Sequence, residues 1–121
     1  LSLLGKGNNY ISIIHIEDLI EIIKLASSSF VPGEIYNAVD NVPISQKQYY
    51  EYLCNQLNLL MPRWIGNVSN IRIQNSIHGL RSLSIKMSSK KLIKTTGYCM
   101  KYPSYKEGIE NLKEKLYGDN S

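Results

Sequence analysis

Tyr102 and Lys106 come nearest to a catalytic pair in this chain by residue type and spacing. On one helix they would lie one turn apart, where a lysine can lower the pKa of a tyrosine that exchanges a proton with a substrate. Pro103 directly follows Tyr102, and a proline pushes the residue before it out of the α region. The two side chains are therefore predicted not to share a helix face, and the spacing is interpreted as accidental.

The other residues able to do chemistry form no recognisable set. The histidines and cysteines lack metal-ligand spacing, and no Ser-His-Asp or Cys-His arrangement can be argued from the sequence; they are His15, His78, Cys54 and Cys99. His15 stands in an apolar segment and is interpreted as a core histidine with a local hydrogen bond. The sequence thus predicts no metal site and no catalytic residue in this chain.

Gly5 and Gly7 do not make a dinucleotide-binding fingerprint. Tyr10 stands where the third glycine would be, and a strand pattern follows instead of a helix. No cofactor-binding residue is therefore predicted. Trp64, which follows Arg63, could line a pocket or clamp a ring, but its amphipathic side chain fits a loop anchor better.

The charge is unevenly distributed along the chain. The net charge is +4, and counting the printed sequence gives −3 for residues 1–60 and +7 for residues 61–121. A basic half can attract an anionic ligand such as a nucleotide, although a solvated lysine surface is the commoner reading. No nucleic-acid-binding motif accompanies these lysines, so nucleic acid is a disfavoured partner.

The first third of the chain predicts a strand, a helix and a second strand. Tyr10–Ile16 is β-rich and reads as a mostly buried strand. Acidic residues follow, and then an apolar stripe at helical spacing is made by Leu19, Ile22, Ile23 and Ala26. Residues 27–29 end this helix, Pro32-Gly33 makes a turn, and Glu34–Val39 is predicted to be a short strand.

The remainder predicts three helices and two extended segments, residues 81–87 and Tyr98–Tyr102, and leaves Ile71–Ile77 open between a short helix and an irregular segment. Ser45 and Gln48 have the form of a capping box, and Asn58 can stop the helix behind it. Residues 81–87 alternate, which indicates a half-buried strand or extended segment, and a helix capped by Ser88 follows. Ser104 is predicted to cap the last helix. The class is α/β, or α+β if the chain stands alone, with few short strands and about four helices.

Several short strings together resemble one family. They are Ile14–Leu19, Gly33–Ala38 with its Tyr36-Asn37 pair, Pro43-Ile44-Ser45, Thr96-Gly97-Tyr98, and Tyr102–Ile109. In this order and spacing they are similar to the C-terminal part of extended short-chain dehydrogenases/reductases, the NAD-dependent epimerase/dehydratase family. The motif positions carried over are structural ones: His15, Asp18, Tyr36, Asn37, Tyr102 and Gly108.

The resemblance implies that residues 1–121 are one C-terminal, substrate-side segment of a larger Rossmann protein. Such a protein uses NAD or NADP, held by an N-terminal domain that also carries the catalytic tyrosine and lysine. This chain alone is then expected to bind no cofactor and to be inactive. Trp64, Arg81 and Lys86 are the candidates for lining the substrate pocket.

The resemblance also sets expectations for substrate and partners. The substrate would be a small molecule of the sugar-nucleotide kind, although Ile11-Ser12-Ile13 occupies the stretch where many such members carry a diphosphate-binding arginine. The partner would be the N-terminal Rossmann domain, and exposed strand edges offer a route to a homodimer. A cytoplasmic protein without a membrane span is expected. The alternative function is a non-catalytic interaction module with the same fold.

Overall fold

The structure is a computed structural model that describes residues 1–66 and 83–118. Within these ranges it contains four helices and four short strands. The strands are β1 (Ser2–Leu4), β2 (Tyr10–Ile11), β3 (Ile44–Ser45) and β4 (Arg63–Ile65). The helices are α1 (Ile16–Ser29), α2 (Gln46–Leu57), α3 (Lys90–Thr96) and α4 (Tyr105–Tyr117). The predicted class of few short strands with about four helices is confirmed.

The chain divides into two compact units, each built from separate stretches. The first unit comprises Leu1–Ile11 and Ile44–Lys86, and the second comprises Ser12–Pro43 and Met87–Ser121. In the first unit β1 pairs in parallel with β4, and β2 pairs antiparallel with β3. Because β3 runs directly into α2, the short ladder fixes where that helix begins.

Local sequence explains α2 well. The Ser45 hydroxyl accepts the Gln48 N–H while the Gln48 side chain accepts the Ser45 N–H, so the predicted capping box is present. Asn58 ends the helix in the left-handed conformation at φ 51°, which Asn tolerates better than most residues. Cys54 and Leu57 are the buried residues of this helix.

The second unit packs α1 and α3 around a small apolar core. Ile22, Leu92 and Met100 are its buried centre. Partly buried apolar and aromatic side chains surround this centre; they are Ile14, Phe30, Tyr36, Ala38, Ile93 and Tyr98. Gly97 ends α3 at a φ of 68°, as the sequence predicts. At the start of α3, Ser89 is the cap residue, not Ser88 as predicted, although the Ser88 hydroxyl accepts the Lys90 N–H.

Three strand predictions need correction. The strand expected over residues 10–16 is present only at Tyr10–Ile11, because His15 caps a helix that already includes Ile16. No strand is assigned over Glu34–Val39, where no neighbouring strand in the described part supplies ladder hydrogen bonds. Residues 81 and 82 lie outside the described residues, and Leu83–Met87 forms no strand, with its apolar side chains exposed.

Apolar stripes predicted for two helices are only partly buried. In α1, Ile22 is buried but Ile23 is 62% exposed. In α4, Ile109 is buried while Leu112 and Leu116 are exposed. Each helix therefore buries a narrower face than its sequence offers, and apolar surface is left over.

Candidate functional site

Asp18 is the most deeply buried polar residue of the second unit, with no exposed surface. Its carboxylate accepts hydrogen bonds from the Tyr98 hydroxyl at 2.6 Å, the Lys101 N–H at 2.8 Å and the Tyr102 N–H at 2.9 Å. Burial and the hydrogen bond to Asp18 raise the pKa of the Tyr98 phenol above its usual value. A buried carboxylate with three donors is well satisfied, so Asp18 ties residues 98–102 to the first turn of α1.

Glu17 stands beside Asp18 but at the surface, where two lysines meet it. Its carboxylate oxygens lie 2.8 Å from Lys101 Nζ and 3.3 Å from Lys115 Nζ. The Tyr102 hydroxyl donates to the same group at 3.1 Å. The hydrogen bond from Lys101, followed by those from Lys115 and Tyr102, lowers the pKa of Glu17 from 4.5 to about 2. Glu17 therefore links α1, residues 101–102 and α4 electrostatically.

His15 contacts both Glu17 and Tyr102 and so belongs to the same group of residues. Its Nδ1 accepts the Glu17 N–H at 3.1 Å, so the imidazole is the N-cap of α1. The ring stacks on Tyr102 with centroids 3.7 Å apart and planes 20° apart. A Cβ atom at Gly108 would lie 3.3 Å from His15 Cδ2, so glycine lets α4 approach the ring. The local hydrogen bond expected for His15 is present, but the side chain is half-buried beside α4 and is not a core histidine as predicted.

Only some of the structural motif residues that the resemblance implies lie close together. His15, Asp18, Tyr102 and Gly108 lie around the start of α1, as described above. Tyr36 packs on Phe30 at a centroid distance of 4.2 Å, and its hydroxyl accepts the Val31 N–H at 3.0 Å. The Asn37 residue is exposed. These contacts serve packing and capping, and none of them presents a reactive atom to a substrate.

Tyr102 and Lys106 do not form a catalytic pair. Tyr102 precedes α4, is buried, and directs its hydroxyl to Glu17, whereas the exposed Lys106 lies inside the helix. Ser104 lies between them and caps α4, with Glu107 completing the capping box. This arrangement agrees with the prediction that the Tyr-x-x-x-Lys spacing is accidental.

Trp64 is packed within the first unit. A Cβ atom at Gly7 would lie 2.5 Å from Trp64 Cη2 and 2.9 Å from Lys47 Cβ. Gly7 also has a φ of 73°, which favours glycine. Tyr50 meets the indole edge-on, at a centroid distance of 6.4 Å. Trp64 thus packs like an anchor but lies on β4 and not in a loop as predicted, and a pocket role stays a prediction.

The other two pocket candidates are placed differently. Lys86 is exposed, and its Nζ lies 3.9 Å from the centre of the Tyr10 ring, a cation–π contact. Arg81 and His78 lie outside the described residues. The described structure therefore brings Trp64 and Lys86 into the same unit without testing whether they contact a substrate.

Two shallow hollows lie within the second unit. One, of about 360 Å³, is lined by Glu17, Asp18, Ile20, Glu21, Tyr98 and Lys101. The other, of about 390 Å³, is lined by Asp40, Asn41, Pro43, Met87, Ser88, Ser89 and Lys90. Neither hollow includes Trp64 or Lys86. Among residues 1–66 and 83–118, no group of three or more His, Cys, Asp or Glu side chains could hold a metal ion.

Asp40 is a titratable residue that the sequence did not single out. It is 8% exposed, and its Oδ1 accepts the Val42 N–H at 3.1 Å. Burial raises the pKa of Asp40 from 3.8 to about 6, and the nearby negative charge of Glu107 adds to this rise. The only sequence signal is an acid at the end of a short apolar run, which is common in loops.

Comparison with known proteins identifies the fold. No family model and no curated protein matches the chain, but solved structures do. The human epimerase family protein SDR39U1, solved with NADPH, matches 95% of this chain with a TM-score of 0.79 and 17% identity. The fold is that of the C-terminal part of an extended short-chain dehydrogenase. A conserved protein of unknown function from Silicibacter pomeroyi matches 97% of the chain, with a TM-score of 0.78 and 20% identity.

The matches cover far less of the other proteins than of this one. This chain spans 42% of the Silicibacter protein and 39% of the human protein. The dTDP-glucose 4,6-dehydratase from Bacillus anthracis, solved with NAD, matches all of this chain but only 35% of its own length, with a TM-score of 0.69 and 19% identity. The described chain thus corresponds to a minor part of these longer proteins.

Proposed function

We propose that this chain is the substrate-side part of an NAD(P)-dependent epimerase/dehydratase-like oxidoreductase. The supporting observation is the structural match, which takes in nearly all of this chain and 35–42% of neighbours that include an NADPH-bound and an NAD-bound protein. In the whole protein, the cofactor would exchange a hydride with the substrate, and a separate Rossmann domain would hold it. The role of this segment is to shape the pocket, with no catalytic residue of its own.

Exposed apolar surface in the second unit supports a domain partner. Ile16, Ile20 and Ile23 lie at i, i+4 and i+7 on one face of α1 and are 60%, 45% and 62% exposed. Ile35, in the segment where a strand was predicted, is 81% exposed. An apolar helix face beside an unpaired β-rich segment is the surface that a sheet-containing domain would cover. The Rossmann domain is the partner proposed for it.

The proposed pocket residues are Trp64, Arg81 and Lys86, as the resemblance implies. Trp64 is anchored on Gly7, so its indole has a fixed position from which an exposed edge can contact a ligand. Lys86 is exposed and can neutralise an anionic group of a substrate of the sugar-nucleotide kind. The substrate class rests on the resemblance and stays part of the proposal.

Binding of NADPH tests the division into two parts. The chain alone, and the same chain joined to the region encoded upstream in its reading frame, would be titrated with NADPH by fluorescence. We expect binding only by the longer protein, because no described element of this chain offers a dinucleotide site. Tight NADPH binding or turnover by the chain alone would contradict the proposal, as would an upstream region without a Gly-x-x-Gly-x-x-Gly strand-to-helix turn.

A surface variant tests the proposed partner face. Ile20→Ser should weaken association between this chain and a separately expressed cofactor domain at least tenfold, because it places a hydroxyl in an apolar contact. Glu21→Ser, one residue along the same helix and so turned about 100° away from Ile20, is the matched control and should change association less than twofold. Both variants should unfold in urea like the unchanged chain, since both side chains are exposed. Equal association of the two variants would count against the proposed face.

An interaction module remains the second candidate. In the described residues both ladders are two-stranded, so each strand has an edge without a partner strand, and such edges can pair with another chain. Analytical ultracentrifugation would reveal a stable dimer of the chain alone. A dimer that persists in the longer protein, with no NADPH binding there, would favour this candidate over the enzyme segment.

The proposal gives nucleic acid no role, and the contacts made by three of the lysines support it. Lys91 pairs with Glu34, and Lys101 pairs with Glu17. Lys86 contacts the Tyr10 ring. Charges already matched by carboxylates add little to phosphate binding. No helix of the described residues is long and apolar enough to cross a membrane.

A further inference from the structure

His15 has an unusual role at the start of α1. A helix N-cap is most often Ser, Thr, Asp or Asn, whose side-chain oxygen accepts a backbone N–H at any ordinary pH. Here the acceptor is the Nδ1 atom of an imidazole, 3.1 Å from the Glu17 N–H. A ring nitrogen accepts a hydrogen bond only when it carries no proton. The cap therefore requires neutral His15 with its proton on Nε2.

The surroundings hold the ring in this orientation. Tyr102 stacks on one face at 3.7 Å, and α4 approaches the ring edge at Gly108, where even a methyl group would crowd Cδ2 at 3.3 Å. A ring flip would place a carbon atom where Nδ1 now accepts the Glu17 N–H. The imidazole thus has one orientation in which it caps α1.

The carboxylates around His15 are already engaged by other groups. From α1, Asp18 is buried with three donors, and Glu17 accepts from Lys101 and from the Tyr102 hydroxyl. From α4, Lys115 reaches Glu17, and Glu107, next to Gly108, accepts the Ser104 N–H. Asp40, whose N–H donates to the Ile13 carbonyl, accepts the Val42 N–H. Among the described residues no carboxylate forms a salt bridge with His15.

We propose that His15 is an acid-sensitive helix cap, which stabilises the second unit only while its imidazole is neutral. In its neutral form the imidazole caps α1 and stacks on Tyr102, which joins α1 to residues 98–104 and to the start of α4. A proton on Nδ1 removes the acceptor and leaves the Glu17 N–H without its partner. The start of α1 then loosens, and the contacts of Tyr102 and Gly108 with the ring loosen with it.

The expected direction of the change in stability with pH follows because the fold uses the neutral form of His15. The stability that the cap contributes is present at neutral and higher pH and is lost as pH falls through the range in which histidines titrate. Asp40 changes stability in the opposite direction over a similar range, because burial raises its pKa to about 6. An Asp40→Asn background therefore isolates the contribution of His15.

The test combines urea unfolding at pH 8 and pH 5.5 with NMR of the histidine rings, both on the full chain carrying Asp40→Asn. With His15 present, we expect the unfolding equilibrium constant to rise about fivefold on acidification, the effect of losing one helix cap. His15→Asn supplies an amide oxygen that caps at either pH and should abolish the rise. His78→Asn, at the only other histidine, should retain it.

The NMR measurement gives an independent readout. Long-range correlations should show the Nε2–H tautomer for His15 at pH 8, and the Glu17 amide proton should shift upfield as His15 is protonated. A protonated Nδ1 at pH 8 would overturn the proposal. So would an equal pH dependence with and without His15→Asn. Neither outcome bears on NADPH binding, so this inference fails or stands separately from the proposed function.

Discussion

The first turns of α1 and α2 have their free backbone N–H groups satisfied by chemically different acceptors. At α2 the donors of the first turn are satisfied by neutral acceptors: the Gln48 N–H uses the neighbouring Ser45 hydroxyl, and the Gln46 and Lys47 N–H groups reach the carbonyls of Asn9 and Gly7. At α1 the cap is an imidazole, and the acidic first turn is held by partners that are 80 to 98 residues away in sequence. The start of α2 uses neutral acceptors from its own capping box and from residues 7–9, whereas the start of α1 carries titratable groups and depends on the C-terminal third of the chain.

The contacts at the start of α1 show what the motif residues do in the structure. The strings on which the resemblance rests, around His15, Asp18 and Tyr102, supply packing and capping contacts that hold the second unit together. The candidates for substrate contact in the described residues, Trp64 and Lys86, belong to the first unit. The motif residues named here therefore serve the fold, while the predicted candidates for substrate contact lie outside the motifs.

The largest expected effect is at Asp18. Asp18→Ala should lower the free energy of unfolding by about 4 kcal/mol, because it leaves the Tyr98 hydroxyl and two backbone N–H groups buried without an acceptor. Urea unfolding at pH 7 measures the loss. Glu21→Ala, an exposed residue of the same helix that pairs with Lys24, is the control and should cost less than about 0.5 kcal/mol. Similar losses for the two variants would show that Asp18 does not hold residues 98–102.

The next largest effect belongs to the first unit. Gly7→Ala should cost about 3 kcal/mol, since the added methyl group would meet Trp64 and Lys47 and the backbone φ is positive. Gly5→Ala is the matched control: its φ of 81° is also positive, but no atom lies within 4 Å of the added group, so about 1 kcal/mol is expected. Thermal unfolding of both variants gives the comparison. If Gly7→Ala costs no more than Gly5→Ala, Trp64 is not packed on Gly7.

The same contrast explains how much the sequence could predict. The capping boxes at Ser45 and Ser104, the stop at Asn58 and the glycine at position 97 depend on neighbours within a few residues, so local patterns predict them correctly. The cap by His15 depends on Tyr102 and Gly108, which no local pattern connects to it.

Strands were harder to predict for a related reason. β1 and β4 are three residues each and exist because they pair across about 60 positions, while Glu34–Val39 has strand propensity but no described partner. Strand formation is decided by pairing more than by composition. Ile23 shows the same limit for helices, since the periodicity of α1 is right but its buried face is narrower than the apolar stripe.

Asp40 is a buried carboxyl group of the second unit whose neutral form is the more stable one in the fold. Its folded pKa of about 6 lies above the ordinary 3.8, so the stability linked to its neutral form is complete below pH 4 and is lost as pH rises through 6. Asp40→Asn retains an acceptor for Val42 and should raise the free energy of unfolding at pH 7.5 by about 1 to 2 kcal/mol, reduced for solvent in the hollow. It should have little effect at pH 3.5. An equal effect at both pH values would contradict the raised pKa.

The smallest effect tests the neutral start directly. Ser45→Ala removes the hydroxyl that accepts the Gln48 N–H and should lower the free energy of unfolding by about 1 kcal/mol. Because neither Ser45 nor Gln48 titrates, the loss should be the same at pH 8 and pH 5.5. For His15→Phe, the proposed acid-sensitive cap predicts a smaller loss at pH 5.5 than at pH 8. Urea unfolding at the two pH values measures both. A pH-dependent loss for Ser45→Ala would contradict the distinction between the two helix starts, because the start of α2 would then also be coupled to a titrating group.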